Sequence, residues 1–281
     1  MDAETHRQEV EAWRDRRYEA LRREQGWLTL AGLHWLKPGP NRVGSDPDAD
    51  VILPAGPPEA GVIEVHDDGR VTATGTWTHR GEPVEVLPLV DDASGEPTIL
   101  ELGDLRQCLI VRGGTPALRT WNLASPARET FSGIPHWPVD LAWRIEGRFE
   151  PTPGRRLRVP DVLGIEEDEE SPGDVVFEIG GVTHRLQALP GGPNGELWLV
   201  FGDLTNGKET YRGGRFLYTD PPSDDGRVVV DFNRAYNPPC VFSPYATCPL
   251  PWPGNRLPIR VEAGERLPEG AEQHTGKTAR A

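Results

Sequence analysis

Residues 231–266 constrain the fold of this chain more than any other part. This Pro-rich segment reads DFNRAYNPPCVFSPYATCPLPWPGNRLPIRVEAGER. Because proline fixes its φ angle and has no backbone N–H, a helix is excluded here and only short extended pieces can form. Ordering an irregular backbone costs roughly 1 to 2 kcal/mol per residue, a cost that proline reduces. We therefore expect the rest of the protein to hold the Pro-rich segment, either as the wall of a site or as a structural wrap.

Hydrophobic patterning elsewhere predicts a mainly β protein with one N-terminal helix. Residues 4–24 carry apolar side chains at helical spacing without Gly or Pro, and Gly26 marks the end of that helix. Downstream, short apolar runs punctuated by Gly, Pro and Asp are typical of antiparallel strands. Residues 197–201 are continuously apolar, which predicts a strand covered on both faces. Residues 166–171 are interpreted as an acidic turn and residues 258–264 as a last strand.

The predicted organisation has four parts. Residues 1–37 form an N-terminal helix and an apolar linker, and residues 38–96 form a small β-sandwich. Residues 97–266 form a larger antiparallel β-sheet or barrel that the Pro-rich segment closes. Residues 267–281 are expected to be a flexible tail.

Charge and composition exclude several classes of function. The 281-residue chain has a formal net charge of −14, whereas nucleic-acid and anionic-membrane surfaces need clustered Lys and Arg, so we expect neither partner. The N-terminus lacks the apolar core of a secretory signal and no apolar run is long enough to span a membrane, which predicts a cytoplasmic protein. Three cysteines do not form a disulfide framework. Recognisable nucleotide, hydrolase and histidine metal motifs are absent, so no cofactor and no metal ion is predicted.

Polar side chains gather at two places that predict a ligand site. The string FGDLTNGKETYRGGRFLY sets several of them around a turn between two strands, and the strand VVVDF delivers others into the Pro-rich segment. Functional polar groups concentrate on loops mounted on a scaffold, and barrel mouths commonly bind ligands. The alternative for Asp203 and Arg215 is a structural ion pair across a hairpin. The predicted ligand-binding residues are Asp203, Thr210, Tyr211, Arg215, Asp231, Asn233, Tyr236, Asn237 and Tyr245.

Cys240 and Cys248 leave several interpretations open. As a nucleophile, Cys240 needs a nearby group that stabilises its thiolate, and His184 is the candidate partner. As metal ligands, the two cysteines lack the close spacing of typical zinc sites. A disulfide between them is geometrically possible but unexpected in a reducing compartment. The favoured interpretation is that both are small buried apolar side chains.

One stretch of the N-terminal half resembles a known scaffold. The string NRVGSDPDADVILP, followed by a strand, a turn and THRGEPVEV, resembles the core of a forkhead-associated sandwich. In that family a Gly-Arg pair opens the strand turn, and a later Ser-x-x-His motif helps bind phosphothreonine. Here Ser45 follows Gly44, and no Ser-x-x-His motif occurs before His66. The resemblance therefore implies the scaffold and not phosphopeptide recognition.

A second resemblance extends over nearly the whole chain. The strings GWLTLAGLHWLKPGPNRVGSD and FGDLTNGKETYRGGRFLY, together with the Pro-rich segment, resemble the bacterial and archaeal domain-of-unknown-function family 1684. This resemblance implies no catalytic residue, because none is established for that family.

Three functions are compatible with these motifs. The first is a pocket of the larger β domain that binds a small polar molecule or a short peptide. The second is a cysteine-dependent hydrolase or transferase that uses Cys240. The third is a structural or interaction protein without a ligand. The motifs do not define the oligomeric state.

Overall fold

The N-terminal helix forms as its apolar spacing predicts. Helix α1 spans Ala3–Arg22 and buries Val10 and Leu21 completely. After it, the N–H of Gly26 donates to the carbonyl oxygen of Arg23 at 2.9 Å. A Cβ at position 26 would lie 2.4 Å from the carbonyl oxygen of Leu21. Only glycine therefore fits the turn that ends this helix.

The computed structural model describes residues 1–269 and 271, so most of the predicted tail at 267–281 lies outside the described residues. The chain divides into two compact units. The larger unit contains Met1–Glu19, Ser132–Phe242 and the described residues from Thr247 onward. The smaller unit contains Ala20–Phe131 and Ser243–Ala246.

The smaller unit contains two sheets and a short helix. One sheet has six strands in the order β1-β11-β10-β9-β6-β7, and the other has five in the order β3-β2-β4-β5-β8. The strands are β1 (Leu30–Trp35), β2 (Gly39–Gly44), β3 (Val51–Ile52), β4 (Gly61–Val65), β5 (Val71–Gly75), β6 (Thr78–His79), β7 (Glu82–Pro83), β8 (Leu87–Pro88), β9 (Leu100–Leu102), β10 (Leu105–Arg112) and β11 (Thr115–Asn122), and helix α2 is Pro126–Thr130.

One hydrophobic core joins the two sheets of the smaller unit. Ile63 and Ala73 of the five-stranded sheet belong to the same buried cluster as Leu109 and Leu118 of the six-stranded sheet. The expected boundary near residue 96 therefore lies inside this unit. The apolar linker after α1 is also part of it, because its backbone forms β1 and pairs with β11 from Leu30↔Trp121 to Trp35↔Ala117.

The larger unit is a six-stranded antiparallel sheet. Its order is β16-β15-β14-β13-β12-β17. The strands are β12 (Arg144–Pro160), β13 (Glu166–Ile179), β14 (Val182–Pro190), β15 (Leu197–Phe201), β16 (Arg215–Thr219) and β17 (Arg227–Asp231). Strand β15 lies between two neighbours and buries four of its five side chains, which confirms the prediction for this apolar run. Phe177, Leu199, Leu217 and Val230 pack in the core of the sheet.

The acidic stretch at 166–171 is a strand and not a turn. It begins β13, and its carboxylates lie opposite the arginines of β12, with Arg156↔Glu170 and Arg158↔Asp168 as cross-strand pairs. Opposite charges on facing strand positions stabilise such pairing. The turn prediction was therefore wrong, because the sequence of one strand does not reveal the charges of its partner.

The Pro-rich segment forms isolated β-bridges and three single turns of 3-10 helix, at Phe232–Arg234, Pro239–Val241 and Pro253–Asn255. The expectation that only extended pieces form here was therefore wrong, because proline fits the first turn of a helix. Strands β14 and β15 pair only at Leu189↔Trp198 and Pro190↔Leu197. Where they separate, Asn255 donates to the carbonyl oxygens of Gln187 at 2.8 Å and Val200 at 2.9 Å, and accepts from the Gln187 N–H at 2.8 Å. Asn255 is completely buried. A side chain therefore replaces the missing strand pairing.

The last predicted strand, at 258–264, does not form. The carbonyl oxygens of Val261 and Ala263 accept hydrogen bonds from the side chain of Arg215, the first residue of β16. The mainly β class with an N-terminal helix is nevertheless confirmed.

Candidate functional site

A completely buried ion pair lies at the centre of the predicted ligand site. Nη2 of Arg215 is 2.7 Å from Oδ2 of Asp203, and neither side chain has exposed surface. The same guanidinium donates to the carbonyl oxygens of Val261 at 2.8 Å, of Ala263, and of Glu265 at 3.4 Å. The hairpin ion pair is confirmed. The Arg215 guanidinium binds the carbonyl oxygens of residues 261–265 that a neighbouring strand would otherwise bind. Its side chain has no solvent-exposed surface for contact with a ligand.

The turn that follows Asp203 is closed by its own hydrogen bonds. Oδ1 of Asp203 accepts from the Thr205 N–H at 2.7 Å, and the Thr205 and Thr210 hydroxyls lie 2.8 Å apart. Asn206 donates to the Thr210 hydroxyl at 2.9 Å. Tyr211 is 1% exposed, and burial raises the pKa of its hydroxyl. These groups hold the turn together and face the interior.

The polar end of β17 anchors helix α1. Asn233 accepts from the Asp140 N–H at 3.0 Å and donates to the Asp140 carbonyl oxygen at 2.9 Å. His6 of α1 lies 3.3 Å from the Asn233 side-chain nitrogen and 3.6 Å from Oδ2 of Asp231. His6 and Asn233 are completely buried, and Asp231 is 7% exposed. Their position therefore supports an anchoring role.

A second ion pair joins α1 to the Pro-rich segment. Arg17 donates to the Glu265 carboxylate at 2.5 Å and to the Asn237 carbonyl oxygen at 2.9 Å. The Asn237 N–H also donates to that carboxylate at 2.7 Å. The Arg17 guanidinium lies over the Tyr236 ring at 4.4 Å from its centroid. Of this group, Tyr236 is the predicted site residue that retains exposed surface.

His136 is a titratable side chain packed against α1. Its Nδ1 lies 3.4 Å from the Tyr18 hydroxyl, and its backbone forms a bridge with Glu265. Burial, with the charge of Arg14 as a second cause, lowers the pKa of His136 to about 4. His136 is therefore neutral at pH 7 and acts as a packing group.

Cys240 and Cys248 lie against each other as reduced thiols. Both are buried, and the Cys240 N–H donates to Sγ of Cys248 at 3.2 Å. This agrees with the favoured interpretation of two small buried side chains. His184 faces the core on β14, where its ring lies 5.9 Å from that of Phe177. The described contacts do not join His184 to Cys240, and the cysteine-dependent reaction stays a prediction.

Tyr245, the last predicted ligand residue, belongs to the smaller unit. Its N–H donates to the Ser243 hydroxyl at 3.3 Å, and its side chain is partly exposed. Within the described residues, no group of three or more His, Cys, Asp or Glu side chains could hold a metal ion. No helix in that part of the chain is long and apolar enough to cross a membrane.

The structure exposes an aromatic surface of three rings, of which the sequence analysis named Tyr236 and missed Trp198 and Tyr218. Trp198 of β15 and Tyr218 of β16 stack with centroids 6.0 Å apart and planes 11° apart, and Tyr236 continues the stack at 6.1 Å and 12°. We call these three rings the aromatic ladder. Tyr218 is 47% exposed. The sequence shows the alternation of side chains within β15 and within β16. It does not show the pairing register of the two strands, which places Trp198 and Tyr218 side by side on one face.

Comparisons with known proteins support the family resemblance in part. The model of the family described as "Protein of unknown function (DUF1684)" matches residues 129–266, which lie mostly in the larger unit. No curated protein matches the chain. A solution NMR structure of an uncharacterized protein of Haloarcula marismortui is 28% identical, covers 50% of this chain and 79% of its own, and has a TM-score of 0.41. The forkhead-associated resemblance stays a prediction.

Proposed function

We propose that the larger unit binds a short, extended, apolar peptide across the aromatic ladder. The observation that carries this proposal is the exposure of Tyr218, which at 47% is high for an aromatic ring flanked by two others. Aromatic rings are enriched at binding surfaces because they offer large contact areas at a low cost in side-chain entropy. Most of the other predicted site residues supply a rigid support for this surface.

The ladder is supported by the sheet beneath it. Trp198 and Tyr218 are directly opposed in the β15–β16 register. Tyr236 is fixed beside them by two reciprocal backbone hydrogen bonds with Phe216, each 2.9 Å long. Arg17 covers part of the Tyr236 ring from α1. Because these rings are already ordered, a ligand gains contact area without first paying to fix them.

The spacing and chemistry of the ladder favour an extended peptide. The centroid separations of 6.0 and 6.1 Å give the ladder a length of at most about 12 Å, which is about four residues of a polyproline II helix with its rise of about 3.1 Å per residue. Burial raises the pKa of both Tyr218 and Tyr236, and their hydroxyl groups hydrogen-bond to each other. One of the two hydroxyl protons is therefore left to donate to a peptide carbonyl oxygen. Aromatic grooves with such donors recognise proline-rich segments in other folds. A peptide of four to six residues, roughly, would cover the ladder.

A proline decapeptide tests this proposal directly. We expect saturable binding in isothermal titration calorimetry and a change in tryptophan fluorescence. Truncating one aromatic anchor typically costs about 2 kcal/mol, so Tyr218→Ala should weaken binding about thirtyfold. The matched control is Val182→Ala, which removes another exposed apolar side chain of the same sheet, 57% exposed, outside the ladder.

Two outcomes would count against the proposal. One is the absence of saturable binding by the wild-type protein at millimolar peptide. The other is equal binding by Tyr218→Ala and Val182→Ala, which would place the contact away from the ladder. Circular dichroism of both variants checks that the fold is intact, and the exposure of both side chains predicts that it is.

A further inference from the structure

The smaller unit has a cavity whose lining is unusually basic for this chain. The cavity has a volume of about 280 Å³ and is lined by Arg22, Leu123, Ser125, Arg128 and Glu129. Because one water molecule occupies about 30 Å³ in the liquid, this space holds an oxyanion together with several further atoms. None of these five residues belongs to the aromatic ladder or to the predicted ligand site.

Both arginines of this cavity are held in place by backbone acceptors. Nη2 of Arg22 donates to the Phe131 carbonyl oxygen at 2.7 Å, and its guanidinium lies over the Phe131 ring at 4.9 Å from the centroid. Arg128 donates through Nε to the Arg22 carbonyl oxygen and through Nη1 to the Leu123 carbonyl oxygen, both at 3.0 Å. The two guanidinium groups are therefore positioned before any ligand arrives.

Neither guanidinium group has a carboxylate as an ion-pair partner among the described residues. In the part of the chain that the structure describes, neither Arg22 nor Arg128 forms an ion pair with a carboxylate, although the chain carries 44 Asp and Glu. Arg112 of the same unit shows the usual arrangement, with two hydrogen bonds to Asp92 of 3.0 and 2.6 Å. Nε and Nη1 of Arg22 and Nη2 of Arg128 likewise lack an acceptor among those residues.

We propose that this cavity binds a small organic phosphate. The two guanidinium groups in the lining supply positive charge for a phosphate, and with the Glu129 carboxylate the lining keeps a net charge of +1. The remaining N–H groups of the two arginines suit phosphate oxygens. The carboxylate of Glu129 and the hydroxyl of Ser125, which already donates to the Leu28 carbonyl oxygen at 2.8 Å, are hydrogen-bond acceptors. They suit hydroxyl groups on the organic part of the ligand.

Inorganic phosphate is the probe for this site. Isothermal titration calorimetry and ³¹P NMR at low ionic strength should show saturable binding with a dissociation constant in the millimolar range. Charge-assisted hydrogen bonds contribute about 1.5 to 3 kcal/mol, so Arg22→Gln and Arg128→Gln should each weaken binding at least tenfold, and the double variant should abolish it. The matched control is Arg70→Gln, an exposed arginine of the same unit that pairs with Asp68 at 2.6 Å.

A chemical footprint keeps the proposal testable if a variant fails to fold. In the wild-type protein, phosphate should slow the modification of Arg22 and Arg128 by phenylglyoxal, as measured by mass spectrometry, but not that of Arg70. Equal affinities of the Arg22, Arg128 and Arg70 variants would overturn the proposal, and so would unprotected Arg22 and Arg128. Neither result bears on the aromatic ladder, which is tested by a different ligand.

Discussion

Replacing Arg215 by methionine should strongly destabilise the larger unit. The methionine keeps an apolar side chain of similar reach but removes the guanidinium group. Asp203 is then left as a completely buried carboxylate without its cation, and the carbonyl oxygens of 261, 263 and 265 lose their donor. The sequence alone made Arg215 a ligand-binding residue, which could be replaced at little cost to stability, so this variant separates the two roles.

The expected loss follows from the buried contacts. Removing one partner of a buried ion pair costs about 3 to 5 kcal/mol, and the unsatisfied carbonyl groups bring the total toward the upper end of that range. Domains of this size are stable by about 5 to 15 kcal/mol. A loss of about 5 kcal/mol would therefore remove between about a third and all of that stability. Adding Asp203→Asn removes the unpaired charge and should recover about 2 kcal/mol of the loss.

Urea unfolding followed by circular dichroism measures these differences as a double-mutant cycle. The control is Arg227→Met, which breaks an exposed pair with Asp225 of nearly the same length, 2.8 Å. Exposed pairs contribute at most about 1 kcal/mol, so this variant should unfold close to the wild type. A loss below about 1 kcal/mol for Arg215→Met, or additive effects of Arg215→Met and Asp203→Asn, would refute the reasoning.

Three further outcomes are expected. Iodoacetamide should label Cys240, Cys248 and Cys108 only slowly before unfolding, because all three are buried and burial raises the pKa of Cys108 to about 12. Mass spectrometry of native and urea-treated protein compares the labelling rates. Fast labelling of Cys240 in the native protein would instead favour the nucleophile hypothesis. In His136→Gln, the free energy of unfolding should fall less steeply between pH 6.5 and pH 4 than in the wild type, because the pKa of His136 is about 4 in the folded protein and unfolding in that window takes up a proton. This group contributes up to about 1.4 kcal/mol per pH unit to the wild-type slope. Equal slopes of the two proteins in a pH series of urea titrations would contradict the prediction. Asn255→Ala should cost about 2 to 4 kcal/mol in urea unfolding, since it leaves buried backbone groups of two strands unpaired, and an unchanged midpoint would argue against that bridge.

Local patterns in the sequence predicted the elements that depend on local rules. The helical spacing of apolar residues and the glycine at position 26 placed α1 within two residues of its ends. The continuous apolar run at 197–201 became a central strand. Proline density correctly excluded an α-helix from the Pro-rich segment, which forms single 3-10 turns instead. Each of these features is decided by residues within a few positions of one another.

The failures lie where distant residues supply the partner. The strand at 166–171 needs the arginines of β12, and the irregular path at 261–265 needs the guanidinium of Arg215. Neither partner is adjacent in sequence. Distant residues also supply the internal hydrogen bonds of Asp203 and Asn233, two of the polar residues that predicted a ligand site. The ligand site itself stays a prediction.

The sequence by itself determined a mainly β protein with an N-terminal helix and an irregular, proline-rich end, because periodicity and backbone restrictions act locally. Only the tertiary structure decided which polar groups form internal hydrogen bonds and which surfaces are exposed to solvent. It buried Asp203 and Arg215 and left Tyr218 exposed between two aromatic rings. The physical reason is that burial and pairing are properties of strand register and packing, which bring together residues that the chain keeps far apart.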